Sequence, residues 1–74
     1  MSNISGHEWI ARFAGALGVA VPDPSTLDRL LELAGVAAHR SERLAAPIAC
    51  YLAGLAGADP AQALALAEML DLPA

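Results

Sequence analysis

Alanine and leucine dominate this chain, and their abundance is the feature that most limits its possible folds. Of the 74 residues, 18 are alanine and 12 are leucine. Both are strong helix formers, whereas the β-branched and aromatic residues that favour strands are few. The composition therefore predicts an all-α protein. The length predicts one helical domain over residues 1–74.

The first predicted helix has a start signal and a stop signal. Ser5 and Glu8 have the spacing of a capping box, in which each residue satisfies a backbone N–H of the other. Gly18 suits the left-handed position that ends many helices. The helix is therefore predicted over residues 7–17. Its apolar face comprises Trp9, Ile10, Phe13 and Leu17.

The second helix has two alternative starts. Asp23 would cap it with Pro24 at the first position, or Ser25 would cap it with Asp28 three residues later. The leucines and alanines that follow form a wide apolar stripe, which predicts neighbours on two sides. The helix is predicted to end near residues 39–40.

Prolines mark the starts of the third and fourth helices. Pro47 suits the first turn of helix three, where its missing N–H costs little. Helix four has a predicted cap at Asp59, a first-position proline at Pro60 and a capping partner at Gln62. It should end before Pro73. The predicted apolar faces are Ile48, Tyr51, Leu52 and Leu55 in helix three, and Leu64, Ala67 and Leu70 in helix four.

Short connections predict a compact bundle of four short helices, mostly antiparallel. We expect the aromatic side chains of Trp9, Phe13 and Tyr51 in its core, with a ligand-binding platform as the alternative. Alanine faces allow close helix packing but bury little area, and a domain of this size has little net stability. We therefore expect a homo-oligomer formed through leucine or alanine stripes.

The charge balance disfavours nucleic acids and membranes as partners. Four arginines are outnumbered by eight acids, which gives a net charge of −4. This charge repels phosphate backbones and anionic lipids. No apolar run reaches the length of about 18 residues needed to span a bilayer. The N-terminus lacks the positive region and apolar stretch of a signal peptide, so we expect a cytoplasmic protein.

The sequence offers no recognisable catalytic or metal-binding pattern. Cys50 is the single cysteine, and with His7 and His39 it lacks the spacing of zinc ligands. We expect Cys50 in the core and no metal or cofactor. There is no glycine-rich phosphate loop and no evident pairing of a nucleophile with a base. The chain is therefore not expected to be an enzyme, and no catalytic residues are assigned.

The densest polar stretch is His39-Arg40-Ser41-Glu42-Arg43, which we call the 39–43 segment. Arginine can bind carboxylate or phosphate through two hydrogen bonds, and histidine changes charge near neutral pH. His39, Arg40, Glu42 and Arg43 are therefore candidate partner- or anion-binding residues. The alternative is a structural role, in which basic groups favour the C-terminal end of helix two and Glu42 pairs with an arginine.

The centre of the chain resembles the signature of a small bacterial helical family. The family's motif is Ala-His-x-x-Glu-Arg-Pro-Ala-Ala-Pro. It is similar to this chain over residues 31–39, then Glu42-Arg43, and then residues 45–47. Trp9 to Gly18 resembles its first helix. Leu44 stands where the motif has proline, which predicts a looser turn before helix three.

This family is associated with molybdenum cofactor biosynthesis, and its members occur alone or fused to molybdenum cofactor guanylyltransferase. The resemblance implies an accessory module that docks onto a molybdenum cofactor enzyme. The docking surface that it implies comprises His39, Glu42 and Arg43.

A second resemblance gives the alternative function. Ser25-Thr26-Leu27-Asp28, followed by Glu32-Leu33, is similar to the second helix of acyl carrier proteins, which are also acidic four-helix domains. Their Asp-Ser-Leu motif is absent, because Ser25 lies between Pro24 and Thr26. The alternative is an acyl-carrier-like protein with a prosthetic arm on Ser25, or a small-anion-binding protein that uses His39 and the arginines.

Overall fold

Four helices joined by short connections form the fold. The computed structural model describes residues 4–70. The helices are α1 (Gly6–Leu17), α2 (Pro24–Arg40), α3 (Ala45–Ala56) and α4 (Pro60–Met69). Over the described residues there is no strand, so the predicted all-α fold is confirmed. None of the helices is long and apolar enough to cross a membrane within these residues.

Helix α1 begins and ends at the predicted signals. The Ser5 hydroxyl accepts a hydrogen bond from the Glu8 backbone N–H at 3.0 Å. The Glu8 carboxylate accepts from the Arg12 guanidinium at 3.3 Å, one turn further along the helix, and not from the Ser5 backbone N–H, so among residues 4–70 only the Ser5 half of the predicted capping box forms. Gly18 ends the helix with φ +78°, a left-handed conformation that glycine adopts without steric cost.

Asp23, not Ser25, caps helix α2. Its carboxylate accepts from the Thr26 backbone N–H at 2.8 Å and from the Ser25 hydroxyl at 3.0 Å. These hydrogen bonds favour the ionised carboxylate, so they hold the pKa of Asp23 below its usual value. The helix ends at Arg40, as predicted.

Backbone carbonyl groups accept the first hydrogen bonds of helix α3, whereas a side chain caps the start of α4, as predicted. The carbonyls of Glu42 and Arg43 accept from the two N–H groups that open α3, at 2.9 and 3.1 Å. Pro47 lies in the first turn of the helix. Asp59 caps α4 by accepting from the Ala61 N–H at 3.1 Å. The predicted end before Pro73 is consistent with the last helical residue, although Pro73 itself lies outside the described residues.

Helix α2 is the central element, because α3 and α4 both pack against it. This arrangement confirms the prediction that α2 has neighbours on two sides. Leu33 of α2, only 3% exposed, forms the core with Ala63 and Leu64 of α4. Cys50 of α3 packs against this cluster, as expected. The four-residue connection between α2 and α3 makes these two helices antiparallel.

Helices α2 and α4 run parallel to each other. Ser25 and Arg29, near the start of α2, share a surface depression with Asp59 and Pro60 at the start of α4. At the opposite ends, Arg40 reaches the last turn of α4. Like ends of the two helices therefore lie side by side.

Helix α3 turns its small side chains inward, which is the reverse of the prediction. Its partly buried residues are Ala45, Ala46, Ala49, Cys50 and Ala53. The predicted apolar face is exposed: Ile48 by 52%, Tyr51 by 65%, Leu52 by 54% and Leu55 by 69%. The expectation of a buried Tyr51 was therefore wrong. An alanine face lets the α3 axis approach α2 closely, and the larger side chains then remain outside.

Helix α1 lies outside this three-helix core. In the described part of the chain it makes no extensive contact with α2, α3 or α4. Trp9 and Phe13, predicted to be buried, are 54% and 50% exposed. Their rings stack on each other with centroids 5.1 Å apart. Each of these aromatic side chains therefore has the other as its aromatic contact, within α1 itself.

Candidate functional site

Arg40 of the 39–43 segment ties the C-terminal ends of α2 and α4 together. Its Nη1 atom donates to the carbonyl oxygens of Ala67 at 3.2 Å and Glu68 at 2.8 Å. Carbonyls in the last turn of a helix have few partners within the helix and carry the negative end of its dipole. The Ala67 carbonyl also accepts from the Leu70 backbone N–H at 3.3 Å. The Arg40 guanidinium supplies both a hydrogen-bond donor and a positive charge to these carbonyls, so this candidate binding residue has a structural role.

The remaining candidate side chains of the segment point into solvent. His39, Glu42 and Arg43 are all exposed. Among residues 4–70 the ion pairs are Arg12 with Glu8 and Arg29 with Glu32, so the expected pairing of Glu42 with an arginine is absent there. His39, Glu42 and Arg43 are therefore presented at the surface beside the structural Arg40.

An apolar cavity of about 230 Å³ lies next to this segment, which we call the α3–α4 cavity. Its lining comes from α2, α3 and α4 and from the residues that directly follow α2 and α4. The lining residues are Leu33, Val36, Ala37, Arg40, Ser41, Ala45, Ala49, Ala67 and Leu70. Only Arg40 and Ser41 contribute charged or polar side chains to this lining. The Ser41 hydroxyl already donates to the Ala37 carbonyl at 2.7 Å.

Sequence reasoning identified one end of this site but missed the cavity itself. Arg40 lines it, whereas His39, Glu42 and Arg43 lie outside its lining. The overlooked signal is the alanine content of three different helices. Ala37, Ala45 and Ala67 occupy positions where a larger side chain would fill the space.

The other candidate groups form no reactive constellation in the part of the chain that the structure describes. Burial raises the pKa of the Cys50 thiol, and its Sγ lies 3.8 Å from the Leu30 carbonyl oxygen. The Ser25 hydroxyl donates to the Asp23 carboxylate, so it belongs to the cap of α2. No three His, Cys, Asp or Glu side chains lie together as a metal site within these residues. A carrier role for Ser25 stays a prediction.

The profile of one protein family covers nearly the whole chain. It matches residues 2–72 and is described as a domain of unknown function, DUF6457. The chain belongs to this family. No curated protein and no solved structure matches the chain. The family description assigns no activity, so the link to molybdenum cofactor biosynthesis stays a prediction.

Proposed function

We propose that this chain is a small cytoplasmic accessory module that binds a segment of a partner protein at the α3–α4 cavity. The observation that carries the proposal is the position of this apolar cavity beside the 39–43 segment. An apolar centre with a polar edge is the usual composition of a protein-binding surface. His39, Glu42 and Arg43 supply the polar edge.

The size of the cavity favours a protein side chain over a cofactor. Pockets for drug-sized ligands measure about 300–1,000 Å³ and combine apolar walls with several converging polar groups. This cavity is smaller, at about 230 Å³, and Arg40 and Ser41 are its only polar lining residues among those described. We therefore propose that one large apolar side chain of the partner enters it.

Charge favours an acidic residue next to that apolar side chain. The chain has four arginines and a net charge of −4, and two of the arginines, Arg40 and Arg43, lie in this segment. An acidic residue would be attracted here, whereas most of the remaining surface would repel it. The proposed ligand is thus a peptide segment with a large apolar residue and a neighbouring carboxylate.

The resemblance of the 39–43 segment to the molybdenum-associated family supplies the first partner to test. We propose that the module assists a molybdenum cofactor enzyme, and molybdenum cofactor guanylyltransferase is the first candidate. The support for this step is the sequence motif alone.

Binding of the full chain to immobilised molybdenum cofactor guanylyltransferase from the same source tests the proposal. Ala45→Leu fills the cavity and should weaken binding at least about tenfold, a loss of roughly 1.4 kcal/mol. Ala65→Leu is the matched control, because Ala65 is exposed on α4 and does not line the cavity. Arg43→Ala should weaken binding about fivefold by removing an exposed charge contact.

Far-UV circular dichroism of every variant separates lost binding from lost folding. Equal affinity of folded Ala45→Leu and Ala65→Leu variants would reject the cavity as the docking site. No binding by the wild-type chain would reject this enzyme as the partner.

A further inference from the structure

The chain leaves α4 at the edge of the α3–α4 cavity. Leu70 directly follows the last residue of α4, and it lines the cavity although it is itself 66% exposed. Its backbone is extended, with φ −62° and ψ 104°, so the chain no longer follows the helix at this point. The residues that come after Leu70 therefore start from the wall of the cavity.

The next two residues have the composition of the ligand that we propose for the cavity. They are Asp71 and Leu72, a carboxylate next to a large apolar side chain. The family profile extends to residue 72, so both residues belong to the same domain as the cavity. The chain thus contains, beside the cavity, a segment with the chemistry of the proposed partner segment.

We propose that Leu72 occupies the α3–α4 cavity of its own chain, and that a partner segment must displace it in order to bind. The position of Leu72 is argued from this chain alone, whereas the competition with a partner rests on the proposed function. The segment is then an internal inhibitor, and the cavity accepts only a partner that binds it better than Leu72 does.

The conformation of the backbone favours this position of Leu72. Side chains two positions apart on an extended chain point to the same side. Leu70 is extended and lines the cavity. Pro73 favours an extended conformation at the residue before it, because the proline ring clashes with the helical alternative. An extended segment therefore directs Leu72 to the side on which Leu70 meets the cavity.

The short connection keeps the entropic cost of this contact small. Leu72 is two positions from a residue of the cavity wall, and the entropy lost on closing a loop rises with loop length. Burial of a leucine side chain among apolar walls is favourable. A tethered group also has a high effective concentration, so a separate peptide of the same composition competes at a disadvantage.

The charge at this end of α4 suits Asp71. Asp71 follows the C-terminal end of the helix, where the dipole disfavours an anion. The Arg40 guanidinium lies at the same end, bound to the carbonyls of Ala67 and Glu68, and supplies a compensating positive charge. The arginine that joins α2 to α4 therefore also favours the acidic residue that precedes Leu72.

Formation of an internal disulfide tests the position of Leu72 without any partner. The background is Cys50→Ala with Leu72→Cys. The second cysteine is either Ala45→Cys, which lines the cavity, or Ile48→Cys, which is 52% exposed and does not line it. Both positions lie at the start of α3, so a tether that holds no fixed position reaches them at similar rates.

The Ala45 pair should close at least about tenfold faster than the Ile48 pair in oxidised glutathione, because a disulfide needs a short distance and a defined direction. Intact mass after alkylation measures the closure. Equal rates for the two pairs would overturn the proposal. So would a covalent dimer in place of the internal disulfide, because the segment of a second copy would then occupy the cavity.

Nuclear magnetic resonance of the wild-type chain gives a readout that needs no variant. Leu33 and Ala49 line the cavity, so their methyl groups should show nuclear Overhauser contacts with the methyl groups of Leu72. The absence of such contacts in a folded chain would contradict the proposed position of Leu72.

Binding to molybdenum cofactor guanylyltransferase tests the competition. Leu72→Ala should bind at least about fivefold more tightly than the wild-type chain, because the fraction of open cavities increases. Leu66→Ala is the matched control, because Leu66 on α4 is 65% exposed and does not line the cavity. Equal affinity of the wild-type chain and the Leu72 variant would overturn the competition. A fast internal disulfide without binding by any variant would support the position of Leu72 and reject the enzyme as partner.

Discussion

Charged residues at both ends of the α2–α4 pair offset the electrostatic cost of parallel packing. Parallel helices place their positive N-terminal ends together and their negative C-terminal ends together. Asp23 and Asp59 cap the two N-terminal ends with carboxylates. Arg40 belongs to the C-terminal end of α2 and donates to the last carbonyls of α4. One guanidinium therefore serves both negative ends.

Replacing Arg40 should destabilise the fold. Arg40→Ala removes two hydrogen bonds from a charged donor, and because the contact is exposed we expect a loss of about 1 kcal/mol in the free energy of unfolding. Thermal unfolding followed by circular dichroism should show a midpoint lower by about 4–8 °C.

His39→Ala is the control for this change. His39 is also exposed at the end of α2, and such surface substitutions usually stay within about 0.5 kcal/mol. Equal midpoints for the Arg40 and His39 variants would show that the contact with α4 contributes nothing.

The role of Arg40 could be only half predicted from the sequence. Its place near a helix C-terminus indicated a favourable interaction with a dipole. The carbonyls that it contacts are 27 and 28 positions further along the chain. Local sequence patterns contain no information about such a contact, because it depends on α2 and α4 being parallel.

At the scale of single helices, the ends were predictable and the packing faces were not. Caps such as Ser5, Asp23 and Asp59 act on backbone groups within three residues, so their effect is local. Periodicity shows which side chains share a face. It does not show which of two apolar faces meets a neighbour, and α3 has alanines on one face and larger side chains on the other.

Substitution by alanine should change the stability of the fold in opposite directions at two glycines in different helical environments. Gly35 lies within α2, and a Cβ there meets nothing within 4 Å. Gly35→Ala should therefore stabilise the fold by about 0.5–1 kcal/mol. Gly57 ends α3 with φ +67°, so Gly57→Ala should destabilise it by about 1 kcal/mol.

Urea unfolding at one fixed protein concentration measures both changes. The two variants have the same added methyl group, so each serves as the control for the other. A midpoint that moves in the same direction for both would contradict the assigned backbone conformations.

For the whole molecule, the main consequence of the packing is an uneven distribution of stability. Helix α2 contacts two neighbours, whereas α1 contacts none extensively within the described residues. The sequence predicted the amphipathic face of α1 but not its separation from the other helices. Local patterns show that a helix has an apolar face, but they do not show which neighbouring helix covers that face.

Hydrogen exchange of the full chain should show this difference. Backbone amides in the middle of α1 should open locally and exchange at least about 100-fold faster than those in the middle of α2. Mass spectrometry or NMR at neutral pH can measure both helices in one sample. Similar protection in α1 and α2 would contradict this prediction, because it would require contacts of α1 that the described residues do not make.

The position of Leu70 has a practical consequence for labelling. Leu70 lines the α3–α4 cavity, and residue 72 is two positions further along the chain. An extended chain spans at most about 3.6 Å per residue, so the Cα of residue 72 lies within about 7 Å of the Leu70 Cα. A dye attached at residue 72 is therefore a tethered reporter for the cavity, and an affinity tag for purification is better placed away from this position.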